Sequence, residues 1–562
     1  MFRGLKVIYT QLLVFRANTT TTRKLRLPKN LSRGLRTTNI NRLRSEPFIK
    51  FASSATQRKT KHVVLALASF GLLSLMVSST SSVVYAEAIL EDAEEKGKGR
   101  SIRLSDIRDH GEGAERSWVI RGTSVYDITD WIPGHPGGEV ILRAAGGSVD
   151  PYWKIFTIHE KQEVYDILEE YRIGTVDQRD LVDGQVPVDA VEDPFQNDPV
   201  RDIRLQVHSD RPCNAETPAP ELSAFITPNA VFYVRNHLWV PEGDEESYCL
   251  VIDLGDGEEK VYTMKDLREK FDECKITATL HCSGNRRKHM TENSRATNGL
   301  QWDVGAIGNA EWAGPRLRDV LADAGLATGN PPNDAKHVQF VGAEAYGASI
   351  PIAKAVDPRG DVLLAYKMNG EQIPPDHGFP VRVVVPGHVA ARSVKWVNKI
   401  VVADEESTSQ WQRRDYKCFG PNEGANPDWD RARAIQELPV QSAITSVRDV
   451  SAHPTENDGN DSIAVEGYAF SGGGREIVRV DISVDDGRTW DQAELAESSE
   501  SGSQHWSWKR WKYTAQKKNV GPQLLVKAVD EAYNTQPDSH EPTYNVRGNL
   551  AMAWHRLPYN SK

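Results

Sequence analysis

Cysteine is scarce: the 562 residues contain five, Cys213, Cys249, Cys274, Cys282 and Cys418, and no two form a C-x-x-C pair. That excludes a zinc ribbon and a disulfide-stapled scaffold, and leaves isolated thiols as possible metal ligands. Acids are almost missing from the first 86 positions, where fifteen Lys and Arg accompany a single Glu46. The apolar run at 63–77 is diluted by Ser69, Gly71 and Ser74, and is short for the roughly 20 residues of a spanning helix. No Gly-Lys-Ser/Thr accompanies the glycine-rich Ser471-Gly-Gly-Gly474, so that segment reads as a hairpin turn and not a phosphate loop.

What is present first is a leader. Arg16, Arg23, Arg26, Arg33 and Arg36 sit in Ser/Thr-rich, acid-poor surroundings, the composition of a mitochondrial transit peptide. With the apolar run as a sorting segment cut near 85–87, it predicts release into the mitochondrial intermembrane space without a permanent membrane anchor. Beyond residue 86, 53 basic residues face 77 acidic ones, a net of about −24. A surface of that sign disfavours nucleic acid and favours basic partners. A small anionic substrate would need a local cationic pocket. The length suits three or four domains.

A compact module starts near Ser101. Trp118-Val-Ile and Ser124-Val-Tyr-Asp-Ile read as short strands, and Trp131-Ile-Pro-Gly-His135-Pro136-Gly137-Gly138 as a sharp loop. Val140, Ile141, Ala144 and Ala145 then follow helical spacing, as do Val164, Ile167, Leu168 and Tyr171 in a second helix over 161–171. His159 stands just before that helix. Two histidines on helix-flanking loops can clamp a haem iron from opposite faces, although H-P-G-G alone is equally well a turn. With W-I-P ahead, A-A-G-G behind and a second histidine 24 positions on, the segment 101–176 resembles the cytochrome b5 family. The resemblance implies one haem b with His135 and His159 as axial ligands. It also implies a domain that carries electrons and does not bind oxygen.

Residues 178–200 are polar and acidic with Pro187, Pro194 and Pro199, and read as a linker. From residue 201 short strands alternate with turns and a few helices. The run Lys275-Ile-Thr-Ala-Thr-Leu-His-Cys282 is strand-like and delivers Cys282 to Ser283-Gly-Asn-Arg286-Arg287. A thiolate there suits a soft metal, with the arginines favouring its charged form; the commoner reading of one such cysteine is a small buried hydrophobe.

The company of Cys282 is more specific. Phe232-Tyr-Val-Arg235-Asn236-His237, His281-Cys282-Ser-Gly-Asn-Arg-Arg287 and Gly305-Ala-Ile-Gly-Asn-Ala-Glu-Trp312 recur in one region. Ala345-Tyr-Gly-Ala-Ser-Ile-Pro351, Asp376-His377-Gly-Phe-Pro-Val-Arg382 and Ala391-Arg-Ser393-Val-Lys395-Trp396 continue the series. Over 225–439 the chain resembles the molybdopterin domain of sulfite oxidases and eukaryotic nitrate reductases. The resemblance implies one molybdenum–molybdopterin with Cys282 as its protein ligand. Tyr233, Val234, Arg235, Asn236, His237, His377, Arg382, Ser393, Val394 and Lys395 are implied to hold the pterin and its phosphate. An oxyanion pocket is implied from Arg235, Arg287, Trp302, Tyr416 and Arg547. Glu344 stands where the pattern has an Asp.

Residues 437–562 alternate apolar and polar positions, as in Val478, Val480, Ile482 and Val484, with a turn at Asp485-Asp-Gly487, and Trp506 and Trp508 alternating likewise. An immunoglobulin-like β-sandwich fits, and in the related family this domain makes a homodimer. The whole reads as an α+β multidomain protein. Its parts are a leader at 1–86, a small cytochrome b5-like α+β domain at 100–177 and a linker at 178–200. A mixed α+β molybdopterin domain at 201–436 and the β-sandwich dimerisation domain at 437–562 follow. The resemblance implies oxidation of sulfite to sulfate, with electrons passing through the haem to cytochrome c. Two alternatives are a nitrate-reducing molybdoenzyme and an electron-transfer module beside an inactive metal domain. The first places its haem domain after the sandwich and adds a flavin domain, whereas here haem comes first and no flavin region is expected. Retention of Cys282 and the pocket residues weighs against the second.

Overall fold

The computed structural model describes residues 99–135, 138–155, 157–187, 193–255, 257–450, 461–496 and 504–560. The leader, the apolar run at 63–77 and the expected cut near 85–87 lie outside the described residues, as do Pro136 and Gly137. No described helix is long and apolar enough to cross a membrane.

In the amino-terminal module four strands order as Ser101–Ile102, Arg172–Val176, Ser124–Asp127 and Trp118–Arg121. Alternate residues face opposite sides, as strand geometry requires. Ile120 and Val125 join Ile102, Ile107 and Val176 on one face, while Val119 and Tyr126 join Ala144, Val149 and Leu168 on the other. The expected second helix is observed as Gln162–Glu170, preceded by a 3-10 turn Thr157–Glu160 that carries His159. The first expected helix is instead a 3-10 segment, Gly138–Ala144. Gly146 follows it with a φ of +80°, which strains any residue with a side chain, and packs tightly on the Gly111 backbone.

The central domain has two main sheets. A five-stranded one orders Gly347–Pro351, His337–Gly342, Val397–Ala403, Cys249–Asp253 and Glu259–Thr263, with the third and fourth strands parallel. A four-stranded one contains the long pair Cys274–His281 and Ile307–Gly314, antiparallel over eight residues. A small three-stranded sheet of Gln206–Ser209, Asn214–Glu216 and Val234–Arg235 lies beside them in the chain order. The core gathers Leu250, Ile252, Leu317, Phe340, Ile350, Val383 and Ile400. Phe195, placed by composition in the linker, packs into that core, as do partly buried Val140, Tyr152 and Ile155 of the amino-terminal module. Tyr152 sits edge-on to Trp239 at 5.5 Å.

The carboxy-terminal domain is two four-stranded antiparallel sheets. Val465, Ala469, Val480, Ile482, Leu524 and Val526 from both sheets fill the space between them, the arrangement of a β-sandwich. Two details differ from the sequence reading. Ser471–Gly474 joins strands of different sheets, Ser462–Phe470 and Ile477–Ser483, so it is a crossover and not a hairpin. Trp506 and Trp508 precede strand Lys509–Gln516 and are buried in apolar clusters shared with the central domain.

Candidate active site

The site is built where the long pair ends. His281 faces Ile307, and Cys282 is the next residue along. Its N–H donates to Ala306 O at 3.0 Å, its carbonyl accepts from Asn285 N at 3.0 Å, and Gly284 N–H donates to Sγ at 3.5 Å. Arg286 then adopts a φ of +62° and helix Arg287–Asn293 begins. Cys282 is buried in an apolar cluster with Phe232, Tyr233, Leu280 and Trp302. A turn thus presents one thiol to a cleft among the lining residues of both walls.

The cleft walls bring together Tyr233, Arg235, Asn236, His237, Cys282, His377, Arg382, Ser393, Val394, Lys395 and Tyr416. Strand Val234–Arg235 supplies the first wall. Arg235 donates to Asn214 Oδ1 and Asn236 O, both at 2.8 Å, and to His237 Nε2 at 3.0 Å. Tyr416 OH bonds the same His237 nitrogen at 2.9 Å. Burial, reinforced by the cations Arg235 and Lys395, holds the His237 imidazole neutral, so Nε2 accepts from both.

The opposite wall is the segment from Asp376 to Trp396. Arg382 is spent on carbonyls, donating to His377 O at 2.9 Å and Ser393 O at 2.8 Å. Lys395 Nζ donates to Asp376 O at 2.9 Å and contacts Asn236 Oδ1. Burial pulls its pKa down to about 7, against the pull of Asp376 and Glu344. The Asp376 carboxylate is engaged elsewhere, accepting from Arg201 and Asn236 at 2.9 Å. Glu344 lines the cleft with Oε2 buried and without a hydrogen-bond partner among the described residues. Burial pushes its carboxyl up to about 8, so at neutral pH it is largely protonated and able to donate. A buried cleft holding Arg235, Arg382 and Lys395, with one carboxyl neutral and the other already paired, fits an anionic phosphate-bearing cofactor.

Four of the sequence-predicted residues do not line the cleft. Val234 turns into an apolar cluster with Leu205, Cys213, Ala215 and Val231. Trp302 is 1 % exposed, with the His208 ring 4.8 Å away. Arg287 donates to Arg547 O at 2.9 Å, Leu300 O at 2.8 Å and Asn549 Oδ1 at 3.0 Å. Arg547 pairs with Asp415 and lies 5.7 Å from the Trp429 ring centroid. The sequence reading missed Asp376, Tyr346 and Trp396 as lining residues, and Asp415 and Asn214 as partners of the arginines. The first three stand inside or beside the quoted motifs, and Asp415 adjoins Tyr416; nothing in the sequence marks Asn214.

In the amino-terminal module the His135 and His159 rings are nearly parallel, 14° apart, with centroids separated by 6.2 Å. That is well beyond the 3.5 Å of the directly stacked His110–Trp118 pair. Trp153 packs on the His159 ring at 5.0 Å. Two histidines at this separation suit two-sided axial ligation of a haem, in which each ring would meet the iron edge-on through one nitrogen.

Three family models match the chain. The cytochrome b5-like heme/steroid binding domain covers residues 103–177, the oxidoreductase molybdopterin binding domain 237–411, and the Mo-co oxidoreductase dimerisation domain 432–562. The chain is 45 % identical to sulfite oxidase of Gallus gallus over 80 % of its own length and 98 % of that protein. It is 44 % identical to the mitochondrial sulfite oxidase of Homo sapiens over 80 % of its length and 83 % of that protein. Among solved structures, the sulfane dehydrogenase SoxCD from Paracoccus pantotrophus superposes with a TM-score of 0.52 at 24 % identity. That match covers 66 % of this chain and 95 % of the other, a likeness of fold. The chain is an oxidoreductase with a molybdopterin-binding domain and a haem-binding domain. It belongs to the sulfite oxidase family.

Proposed function

We propose that this protein oxidises sulfite to sulfate and passes the two electrons, one at a time, through its haem b to cytochrome c. The observation that carries the reading is the buried thiol of Cys282 lining a cleft with Arg235, Arg382 and Lys395. In this reading Cys282 ligates the molybdenum. Tyr233, Asn236, His237, His377, Arg382, Ser393, Val394 and Lys395 hold the pterin and its phosphate, with Val234 contributing main chain alone. His135 and His159 ligate the haem iron. When bound, the molybdenum–molybdopterin centre supplies oxygen-atom transfer and the haem supplies one-electron relay.

The protein's own work is electrostatic and positional. Arg235 presents a guanidinium to the oxyanion while His237 and Asn214 hold its plane. Burial keeps the Tyr416 hydroxyl protonated; His237 Nε2 accepts that one proton here, and donating it to a substrate oxygen means exchanging one acceptor for the other. Arg547, Arg287 and Trp302 complete the substrate wall from behind, Arg287 by fixing the Arg547 main chain. The acidic charge beyond residue 86 favours encounter with a basic protein such as cytochrome c. The dimerisation domain supports a homodimer. The basic leader and the mitochondrial relatives support the intermembrane space as its compartment.

The deciding experiment is reduction of cytochrome c by sulfite with the purified protein, alongside molybdenum analysis and a haem absorption spectrum. Sulfite-dependent reduction that disappears in Cys282→Ser, with haem content retained, is the expected result. A protein holding molybdenum and haem yet inert to sulfite would overturn the reading.

A further inference from the structure

Glu216 ends the short strand Asn214–Glu216 and is 1 % exposed. A buried carboxylate is costly unless fully hydrogen-bonded. Here Oε2 accepts from Asp303 N at 3.0 Å and Gly305 N at 3.1 Å, and Oε1 pairs with His208 Nε2 at 3.0 Å. The His208 ring in turn lies 4.8 Å from that of Trp302. Gly305 cannot be replaced, because a Cβ there would meet Thr217 O at 2.0 Å. The segment 302–306 is therefore seated directly on the strand end.

The other side of the same segment faces the metal-site loop. Ala306 O accepts from Cys282 N at 3.0 Å, Asp303 O from Arg286 N at 2.7 Å, and Trp302 O from Lys288 N at 3.1 Å. Ala306 N donates to Asn285 Oδ1 at 3.0 Å. At the other end of the strand, Asn214 Oδ1 accepts from Arg235. A three-residue strand thus touches Arg235 through its first side chain and the Trp302 segment through its last.

We propose that Glu216, aided by His208, is a positioning residue for oxyanion binding, and that the strand sets the spacing between Arg235 and the Trp302 segment. The inference rests on the reading of Arg235 and Trp302 as substrate-wall residues. A carboxylate suits the task because it is acceptor-only and so can take two main-chain N–H groups and an imidazole at once. An amide at this position loses the charge and one acceptor oxygen, and with its oxygen kept for the two main-chain N–H groups its NH₂ faces His208, whose ring must then present a bare Nε2.

The test is steady-state kinetics on haem- and molybdenum-replete Glu216→Gln and His208→Phe, with sulfate affinity of the oxidised enzyme measured by calorimetry. Glu216→Gln is expected to raise KM for sulfite about tenfold while kcat stays within about threefold. Its sulfate Kd should rise by the same factor as KM. His208→Phe keeps a ring beside Trp302 and should show a smaller rise, about threefold. A purely structural role would lower thermal stability and cofactor content and leave KM and sulfate Kd unchanged in the replete fraction. Arg235→Met and Trp302→Phe serve as references. If neither reference changes KM, the substrate-wall reading fails. If they raise KM while Glu216→Gln and His208→Phe leave it and sulfate Kd unchanged, the positioning role is overturned. Should Glu216→Gln be recovered without molybdenum, His208→Phe decides alone by the same readouts.

Discussion

Arg287 Nε donates to the main-chain carbonyl of Arg547 at 2.9 Å, joining the residue that opens the helix after Cys282 to a loop of the β-sandwich. Three glycines make room for it. A Cβ at Gly284 would meet its guanidinium at 2.7 Å, one at Gly299 at 2.9 Å, and one at Gly548 its Cγ at 2.6 Å. All three nitrogens of the fork are used, so the arginine bridges two domains as well as contributing charge. Arg287→Gln is expected to destabilise the protein by about 2–4 kcal/mol, because buried acceptors lose a charged donor. Arg287→Lys should recover only part of this, since an ammonium cannot reproduce the planar fork. Denaturant titration of both variants measures it; equal stability for wild type and Gln would remove the bridge.

Arg547 supplies the second prediction. A surface arginine would matter by no more than about 0.5 kcal/mol and leave catalysis alone. As part of the substrate wall, its charge-assisted bond is worth roughly 1.5–3 kcal/mol, about one to two decades in kcat/KM. Arg547→Met should raise KM for sulfite and weaken inhibition by sulfate, with molybdenum and haem intact. Lys should rescue partly. An unchanged kcat/KM in the replete Met variant takes Arg547 out of the wall.

The parallel His135 and His159 rings predict a separable electron-transfer step. Alanine at either position should abolish haem reduction by sulfite and cytochrome c turnover. Activity with an artificial acceptor that draws electrons from the molybdenum domain should persist. Loss of both activities in a folded variant would contradict a division of labour between the domains.

Glu344 predicts a pH dependence of stability. Burial raises its folded-state pKa from 4.5 to about 8. The folded protein therefore holds that proton more tightly than the unfolded chain. The associated stability is fully present below about pH 4.5 and is lost as pH rises through about 8. Glu344→Gln removes the titration, so its advantage over wild type should grow from pH 5 to pH 9, reaching a few kcal/mol. Calorimetric melting of both proteins across that range tests it. A pH-independent difference between them would show that Glu344 keeps an ordinary carboxyl.

Local pattern made much of this legible in the sequence. Short apolar segments placed the strands at Trp118, Ser124 and Lys275, and alternation placed the one containing Val480 and Ile482, whose side chains are buried while Val478, beside a register shift, is exposed. The quoted motifs pointed to Cys282, Arg235, His377, Arg382 and Lys395 through the family resemblance they carry, and the cleft gathers all five. The sequence did not contain the destinations of long or buried side chains. Arg287 reaches three acceptors 13, 260 and 262 positions away, and Glu216 binds main-chain donors 87 and 89 positions on. Trp506 and Trp508 continue an alternating pattern, yet Trp506 packs into the central domain and Trp508 bridges it to the sandwich, because apolar burial is non-directional and follows whichever surface the tertiary packing presents. Composition and periodicity determined the elements and the chemical inventory. Only the packing of two sheets and a sandwich around Cys282 decided which charges face the cleft and which are consumed in holding it.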